Sequence, residues 1–376
     1  MNIIIINKEI FQNRPPVIST LLTLSDLGHN VTLITVEIND YWSSELQKKN
    51  ISFYVVSEKK NANRIAKVFE YLNFKNQVFK YLTKKGINND NALLWVIGGN
   101  TIFSLGDSLN KYRYVLQIQE LHENDKHYLR AFSKVINNAE LVFMNEYNRT
   151  ILYQIWFKMK KRAIVLPNKP FFLPNKKDIQ NHILPRIKQQ YEEEIELFKT
   201  KKVILFQGWY GKPDRDLTAF VQAIKELGDD YRMAILGRYN KNLDEYRAID
   251  PNIIHIDFIP APDYLVFTSL AYIGIVSYNP NSLNNAYCAP NKIWEYSTFS
   301  LPMLCNDIPG LKYTVEYSGA GICVDENNTK AIFEAILQID MDYYKYSNNA
   351  TQMNNNFNNV EIIRNAMLSI EPTINP

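Results

Sequence analysis

The densest chemistry in the chain lies at Ala289-Pro290-Asn291-Lys292-Ile293-Trp294-Glu295-Tyr296, followed by Leu301-Pro302-Met303-Leu304. The segment opens a helical pattern behind a strand-like run and the loop Tyr278–Cys288. A helix start offers unpaired N–H groups and a partial positive charge, so Asn291, Lys292 and Ile293 form a candidate phosphate cradle. Pro290 suits the first turn, where its missing donor costs nothing. Lys292 adds a full positive charge at the same end. Three residues on, Glu295 stands one turn along the same face, where a carboxylate can accept hydrogen bonds from ribose hydroxyls. A capped helix with a Lys–Glu pair worth about 0.2–0.5 kcal/mol is the plainer alternative.

A second candidate is Phe206-Gln207-Gly208-Trp209-Tyr210-Gly211-Lys212-Pro213-Asp214-Arg215-Asp216, between a strand pattern and a helix pattern. Gly208 and Gly211 permit close backbone approach, and Lys212 and Arg215 bring two cations to the turn. The spacing is neither a Walker loop nor G-x-G-x-x-G. Asp214-Arg215-Asp216 and Asp340-Met341-Asp342 each set two carboxylates one residue apart. Asp214 and Asp216 sit where helix caps belong, and the second copy lies beyond the last strand, so no metal is expected. Leu236-Gly237-Arg238 and Phe258-Ile259-Pro260 end two further strand-like runs.

The first half carries a weaker constellation, Gln119-Glu120-Leu121-His122-Glu123, at the carboxyl end of a strand pattern. Glu120 and His122 are candidates to orient a hydroxyl. A helix cap by Glu123 or Asn124 and a solvated histidine are the alternatives. Gly98-Gly99-Asn100 and Asn13-Arg14-Pro15-Pro16 also follow strands, and Arg14 is a candidate partner for a phosphate. The run Ile155-Trp156-Phe157-Lys158-Met159-Lys160-Lys161-Arg162 sets aromatics beside cations. That is the composition of an interfacial contact with anionic lipid; buried rings beside a solvated face are the alternative.

These residues need a frame, and both halves supply the same one. Short β-type runs alternate with longer helical patterns, which signals parallel α/β construction. Strands are expected at Ile3–Asn7, Val31–Val36, Ile51–Val56, Leu93–Ile97, Tyr114–Ile118 and Leu141–Asn145. The second set is Val203–Gln207, Met233–Leu236, Ile253–Phe258, Tyr272–Ser277, Met303–Asn306 and Gly321–Val324. Helices are expected at Pro16–Leu27, Asn63–Lys84, Asp216–Leu227, Pro262–Leu270, Asn291–Phe299 and Thr329–Ile339. Pro167, Pro170 and Pro174 make a stiff crossing segment. The domains expected are 1–168, a linker and edge segment 169–200, a second Rossmann-like domain 201–355, and a helix and tail 356–376. The Asn-rich piece Asn348–Asn359 reads as a loop, followed by a short helix over Val360–Ile370. The expected fold is α/β, with two Rossmann-like domains facing across a cleft where a ligand would bind.

Bulk properties narrow the class. At 376 residues the chain suits two domains, and 46% hydrophobic against 22% charged residues is a globular composition. No stretch approaches the roughly 20 apolar residues of a membrane span, and the N-terminus lacks the basic region of a signal peptide. Three cysteines without paired spacing argue against a disulfide framework or zinc site and suit the cytoplasm. Residues 1–165 hold 22 Lys and Arg against 14 Asp and Glu, whereas the whole chain is only +3. The first half is therefore basic and the second acidic. No nucleic-acid module is recognisable, so an anionic surface or acceptor is the expected partner of the basic half.

The segment Pro290-x-Lys292-x-x-Glu295-Tyr296 before Leu301-Pro302 resembles the donor site of GT4-type retaining glycosyltransferases, in the bacterial surface-polysaccharide branch. The resemblance is specific from Val203 to Asp325 and implies the two-domain GT-B architecture, with the donor held by the second half. It implies that Glu295 binds the donor ribose, that Arg215, more than Lys212, meets the diphosphate beside Gly208, that Gly237 and Arg238 lie near the donor, and that the base packs by Ile259. Two positions depart from the family: Tyr287 stands where many relatives have a glutamate, and Ser300 where a glycine is usual. The resulting expectation is transfer of a sugar from a nucleoside diphosphate, with uridine favoured, to a glycan or lipid-linked acceptor. Transfer would proceed with retention and without a metal or other cofactor. The protein would act in surface polysaccharide synthesis, in the cytoplasm or at the inner face of the plasma membrane. A catalytically silent subunit of the same fold and a UDP-sugar 2-epimerase are the rival expectations.

Overall fold

The computed structural model describes residues 1–57 and 64–370. They form two compact units, Met1–Phe171 with the segment from Asn358 onward, and Phe172–Phe357. The first is built on β1 (Asn2–Asn7), β2 (Asn30–Thr35), β3 (Ser52–Val55), β4 (Leu93–Ile97), β5 (Tyr114–Ile118), β6 (Leu141–Met144) and β7 (Ile164–Val165). All neighbours run parallel, in the order β3-β2-β1-β4-β5-β6-β7. The unbroken apolar runs explain why: Ile3–Ile6 and Leu93–Ile97 are buried along their whole length, as in a sheet covered on both faces.

The second unit repeats the scheme with β8 (Lys202–Gln207), β9 (Tyr231–Leu236), β10 (Ile254–Ile256), β11 (Ile273–Val276), β12 (Met303–Asn306) and β13 (Gly321–Val324). Its parallel order is β10-β9-β8-β11-β12-β13. Strand order reverses between β1 and β4 in one sheet and between β8 and β11 in the other. Such switch points open a crevice at the carboxyl ends of the strands, where α/β folds bind ligands. Here those ends lead into Lys8 and Gly98 in the first unit, and into Gly208 and Ser277 in the second.

The strands and major helices fall where hydrophobic periodicity places them, to within a few residues at each end. The expected helix start Asn63 lies outside the described residues, and the helix is seen over Arg64–Lys84. Strand β7 is only two residues long, too short to leave a pattern. One expectation is corrected outright. The Asn-rich stretch is not a loop: Tyr343–Asn356 is a helix. Tyr346, Ala350 and Met353 are buried at helical spacing, and packing overrides the poor propensity of asparagine. The asparagines are used. Asn354 donates to Trp294 O at 3.2 Å, Ser297 Oγ at 2.9 Å and Thr298 Oγ1 at 3.0 Å.

Within 169–200, Ile179, Ile183, Ile187, Ile195 and Phe198 join Val203, Leu205 and Phe267 in the core of the second unit. At the other end of the chain, the helix Asn359–Leu368 lays Ile363, Ala366 and Met367 against Ile3, Ile5 and Trp95 of the first.

Candidate functional site

In the second unit the turn after β8 brings its backbone unusually close to the turn after β9. Gly208 N donates to Leu236 O at 2.8 Å, and Gly208 holds φ +112°, a left-handed region that favours glycine. A side chain on Gly237 would place its Cβ 2.3 Å from Gly208 O. Two glycines therefore bare the strand ends.

Lys292 lies directly beneath this bare patch. A Cβ on Gly208 would sit 3.3 Å from its Cε and 3.5 Å from its Nζ. The stem is partly exposed, but Nζ is enclosed and has no hydrogen-bond partner. It faces the rings of Phe206 at 4.3 Å and Tyr278 at 5.6 Å. Burial pushes the amine down to about 7, and Arg215 adds to the effect while Glu295 and Cys288 oppose it. The full positive charge expected here is thus not carried through neutral pH in the free protein. An enclosed amine without an acceptor lacks both hydration and a counter-charge.

The helix Lys292–Thr298 starts one residue later than expected, with Asn291 as its uncapped N-cap, so Pro290 precedes the first turn. The Ile293 side chain is buried in the core beside Val276, Trp294 and Met303, which leaves only its backbone for a ligand. Glu295 is buried one turn along. Burial pushes its carboxyl up, against the pull of Tyr264, Lys292 and Gln207. Tyr264 Oη donates to Oε1 at 2.8 Å, and Gln207 Nε2 donates to Oε2. Gln207 is itself held by Thr268 Oγ1 at 2.8 Å. Each carboxylate oxygen keeps further acceptor capacity, so a preset Glu295 can still take ribose hydroxyls.

The other candidate residues divide. Arg215 packs over Tyr278 at 4.4 Å and donates to Trp209 O at 3.2 Å, on the Lys292 side of its loop. Lys212 instead turns to Glu245, 3.0 Å away and exposed. Neither Asp214 nor Asp216 is the N-cap of the next helix, which is Leu217: Asp214 Oδ1 ties to another loop, accepting from Asn281 Nδ2 at 2.9 Å, and Asp216 Oδ1 accepts locally from Thr218 N at 3.0 Å. Arg238 stacks on Phe258 at 5.1 Å. The Ile259 side chain is buried among Ile256 and Leu265, so the exposed surface there belongs to Phe258, at 58%. Gln207, Tyr264, Phe258 and Tyr278 were not singled out by sequence; an aromatic or amide at a strand end gives no spacing signal of its own. Among the described residues no group of three or more His, Cys, Asp or Glu side chains is arranged to hold a metal.

The Ser300 departure has a structural account. The helix Lys292–Thr298 ends in a complete Schellman motif, Leu301 N donating to Tyr296 O at 3.0 Å and Ser300 N to Ser297 O at 3.1 Å. Ser300 occupies the left-handed position, φ +60°, where glycine is favoured. Thr351 donates to its Oγ at 2.7 Å, and Ser347 to its carbonyl at 2.8 Å.

In the first unit, His122 also adopts a left-handed backbone, φ +56°. Its ring stacks on Tyr128 at 4.6 Å, and Nε2 is buried without a partner. The ring lies so close to Gly99 that a Cβ there would meet Nε2 at 2.1 Å. Burial lowers the pKa of His122, against the opposing pull of Glu120, Asp125 and Glu123. Glu120 is exposed beside it. The helix cap is neither Glu123 nor Asn124 but Asp125, which accepts from His127 N at 2.9 Å and Tyr128 N at 3.2 Å. Arg14 pairs with Glu9, whose carboxylate also accepts from Asn100 at 3.1 Å.

Residues 201–342 match the family model of the group 1 glycosyl transferases. The second half carries a group 1 glycosyltransferase domain. The whole chain superposes on solved structures of one fold. A glycosyltransferase from Rickettsia africae matches with TM-score 0.71 and 15% identity, covering 100% of this chain and 99% of that one. HepE from Anabaena, in complex with UDP and glucose, gives 0.68 and 12%, covering 98% and 99%. WaaG, a glycosyltransferase of lipopolysaccharide biosynthesis, gives 0.67 and 12%, covering 98% and 100%. No curated protein sequence matches the chain. The fold is GT-B, and with this domain the chain is a glycosyltransferase.

Proposed function

We propose that the second unit holds a nucleoside-diphosphate sugar, with uridine favoured, and that the chain transfers the sugar with retention to a glycan or lipid-linked acceptor in surface polysaccharide synthesis. The observation that carries the donor reading is the unpartnered Lys292 amine beneath Gly208, with Arg215 beside it. An enclosed cation with no acceptor is satisfied by an anion that reaches it, and here the way is lined by a glycine. In the proposal Lys292, Arg215 and the backbone around Asn291–Ile293 take the diphosphate, stabilising it as charge develops on departure. Glu295 holds the ribose, and Phe258 with Arg238 borders the base. HepE, of the same fold, binds UDP and glucose, which supports uridine here.

On the acceptor side, His122 and Glu120 orient the attacking hydroxyl, the imidazole as a neutral acceptor. The helix Tyr147–Phe157 presents Tyr147, Ile151 and Ile155 as an exposed stripe, followed by exposed Lys158, Lys160, Lys161 and Arg162. That pairing of apolar and basic groups supports peripheral contact with an anionic leaflet. No described helix is long and apolar enough to cross a membrane.

Calorimetric titration with UDP, GDP and ADP is the test. Binding of UDP that Glu295→Ala weakens is the expected result; no binding by any of the three sinks the donor reading. Incubation with UDP-sugars then separates the rivals: slow hydrolysis with retained anomeric configuration fits the transferase, C2 inversion the epimerase, and binding without turnover the silent subunit.

A further inference from the structure

Resting on the donor reading, we propose that capture of a nucleoside diphosphate by the second unit is coupled to uptake of one proton, which ends on Nζ of Lys292. The amine is placed where a proton is hard to keep in the free protein and hard to lose in the complex. Nζ has no hydrogen-bond acceptor among protein atoms; it faces the rings of Phe206 and Tyr278, and a Cβ on Gly208 would lie 3.5 Å from it. Aromatic faces return only part of the hydration that an ammonium loses on burial.

The charged and titratable groups around it come from three places. Arg215 approaches from the turn after β8, Tyr278 and Cys288 from the loop after β11, and Glu295 from the helix of Lys292 itself. Arg215 disfavours a second cation; Glu295 and Cys288 favour one more weakly than burial and Arg215 oppose it, and the balance leaves the amine at about 7. Glu295 does not compensate fully, because its attraction is weaker than burial and Arg215 acting together.

A diphosphate arriving over Gly208 reverses the balance. Its anionic oxygens supply both the missing acceptor and the missing counter-charge, so the lone pair of Nζ takes a proton from solvent or buffer. No other bond is made or broken, and no electron is transferred. The consequence is a donor site whose strength depends on pH across the neutral range, although diphosphate esters do not titrate there.

The test uses the full chain and UDP at pH 8, where a terminal phosphate of pKa about 6 is ionised. Binding enthalpies are measured in Tris and in HEPES, whose ionisation enthalpies differ. Their difference should correspond to uptake of about 0.9 proton, and Kd should rise about tenfold between pH 8 and pH 9. Lys292→Met should bind more weakly and show no uptake. UDP binding with the same observed enthalpy in both buffers overturns the inference while leaving the donor site intact, as does uptake that persists in Lys292→Met. Failure of every nucleotide to bind overturns the donor reading itself, and this inference with it.

Discussion

The carboxyl ends of the two sheets treat charge in opposite ways. After β1 and β4, charged and polar groups answer one another: Glu9 meets Arg14 and Asn100, and Asn100 accepts from Tyr71 at 3.1 Å and from Tyr128. After β8 and β11, Lys292 and Arg215 stand together and the nearest carboxylate, Glu295, is committed to Tyr264 and Gln207. A balanced site suits a neutral, hydroxyl-rich ligand, and a site with surplus positive charge suits an anion. The lesson is that net charge does not locate an anion site. The half of the chain with the surplus cations at its switch point is the acidic one.

The sharpest way to break this comparison is Lys292→Met. UDP affinity should fall about 100-fold, near 3 kcal/mol, as expected for losing a charge-assisted contact. The same change should stabilise the free protein. An unfolded lysine keeps its proton to about 10.4, whereas the folded one loses it above about 7, so burial costs stability at neutral pH. The gain should be on the order of 2 kcal/mol at and below pH 7 and fade as pH rises toward 10, read by urea denaturation. If Lys292→Met destabilises at pH 7, the amine is not the strained group described here.

Gly237→Ala comes next. Its Cβ would collide with Gly208 O, so the strand ends must part, with a loss of about 2 kcal/mol in stability and weaker UDP binding together. His122→Phe, in the first unit, should lower turnover about tenfold with UDP affinity unchanged, since it removes the ring nitrogens while keeping an aromatic face toward Tyr128. A change in UDP affinity with His122→Phe would erase the distinction between the two sites. The smallest effect is Ser300→Gly. Relief of the left-handed backbone and loss of the Thr351 hydrogen bond are each about 1 kcal/mol and opposed, so the melting temperature should hardly move.

How much could be read from residues alone follows the same division. Apolar runs made the sheets legible because a parallel sheet buried on both faces leaves no polar interruptions. That Lys292 would lie near Gly208 and Glu295 was legible, because both turns follow strands that flank the same switch point. The enclosure of the Lys292 amine was not, since it depends on Phe206 and Tyr278, distant in sequence. Nor was the helix of Tyr343–Asn356, whose propensity argues against it and whose packing on Trp294–Thr298 decides for it. The preference for Arg215 over Lys212 was legible in sequence, but not the reason seen here, that Lys212 pairs with Glu245 while Arg215 packs over Tyr278.

The helix Asn359–Leu368 carries a consequence for biosynthesis. Ile363 and Met367 share a core with Ile3 and Trp95, yet they leave the ribosome about 270 residues after Trp95. The first-made sheet must therefore wait, its apolar face incomplete, while the second unit is translated and folded. Emergence of this helix is then the event that closes the N-terminal core, and a chain stopped near Phe357 should yield a sound second unit beside an aggregation-prone first one.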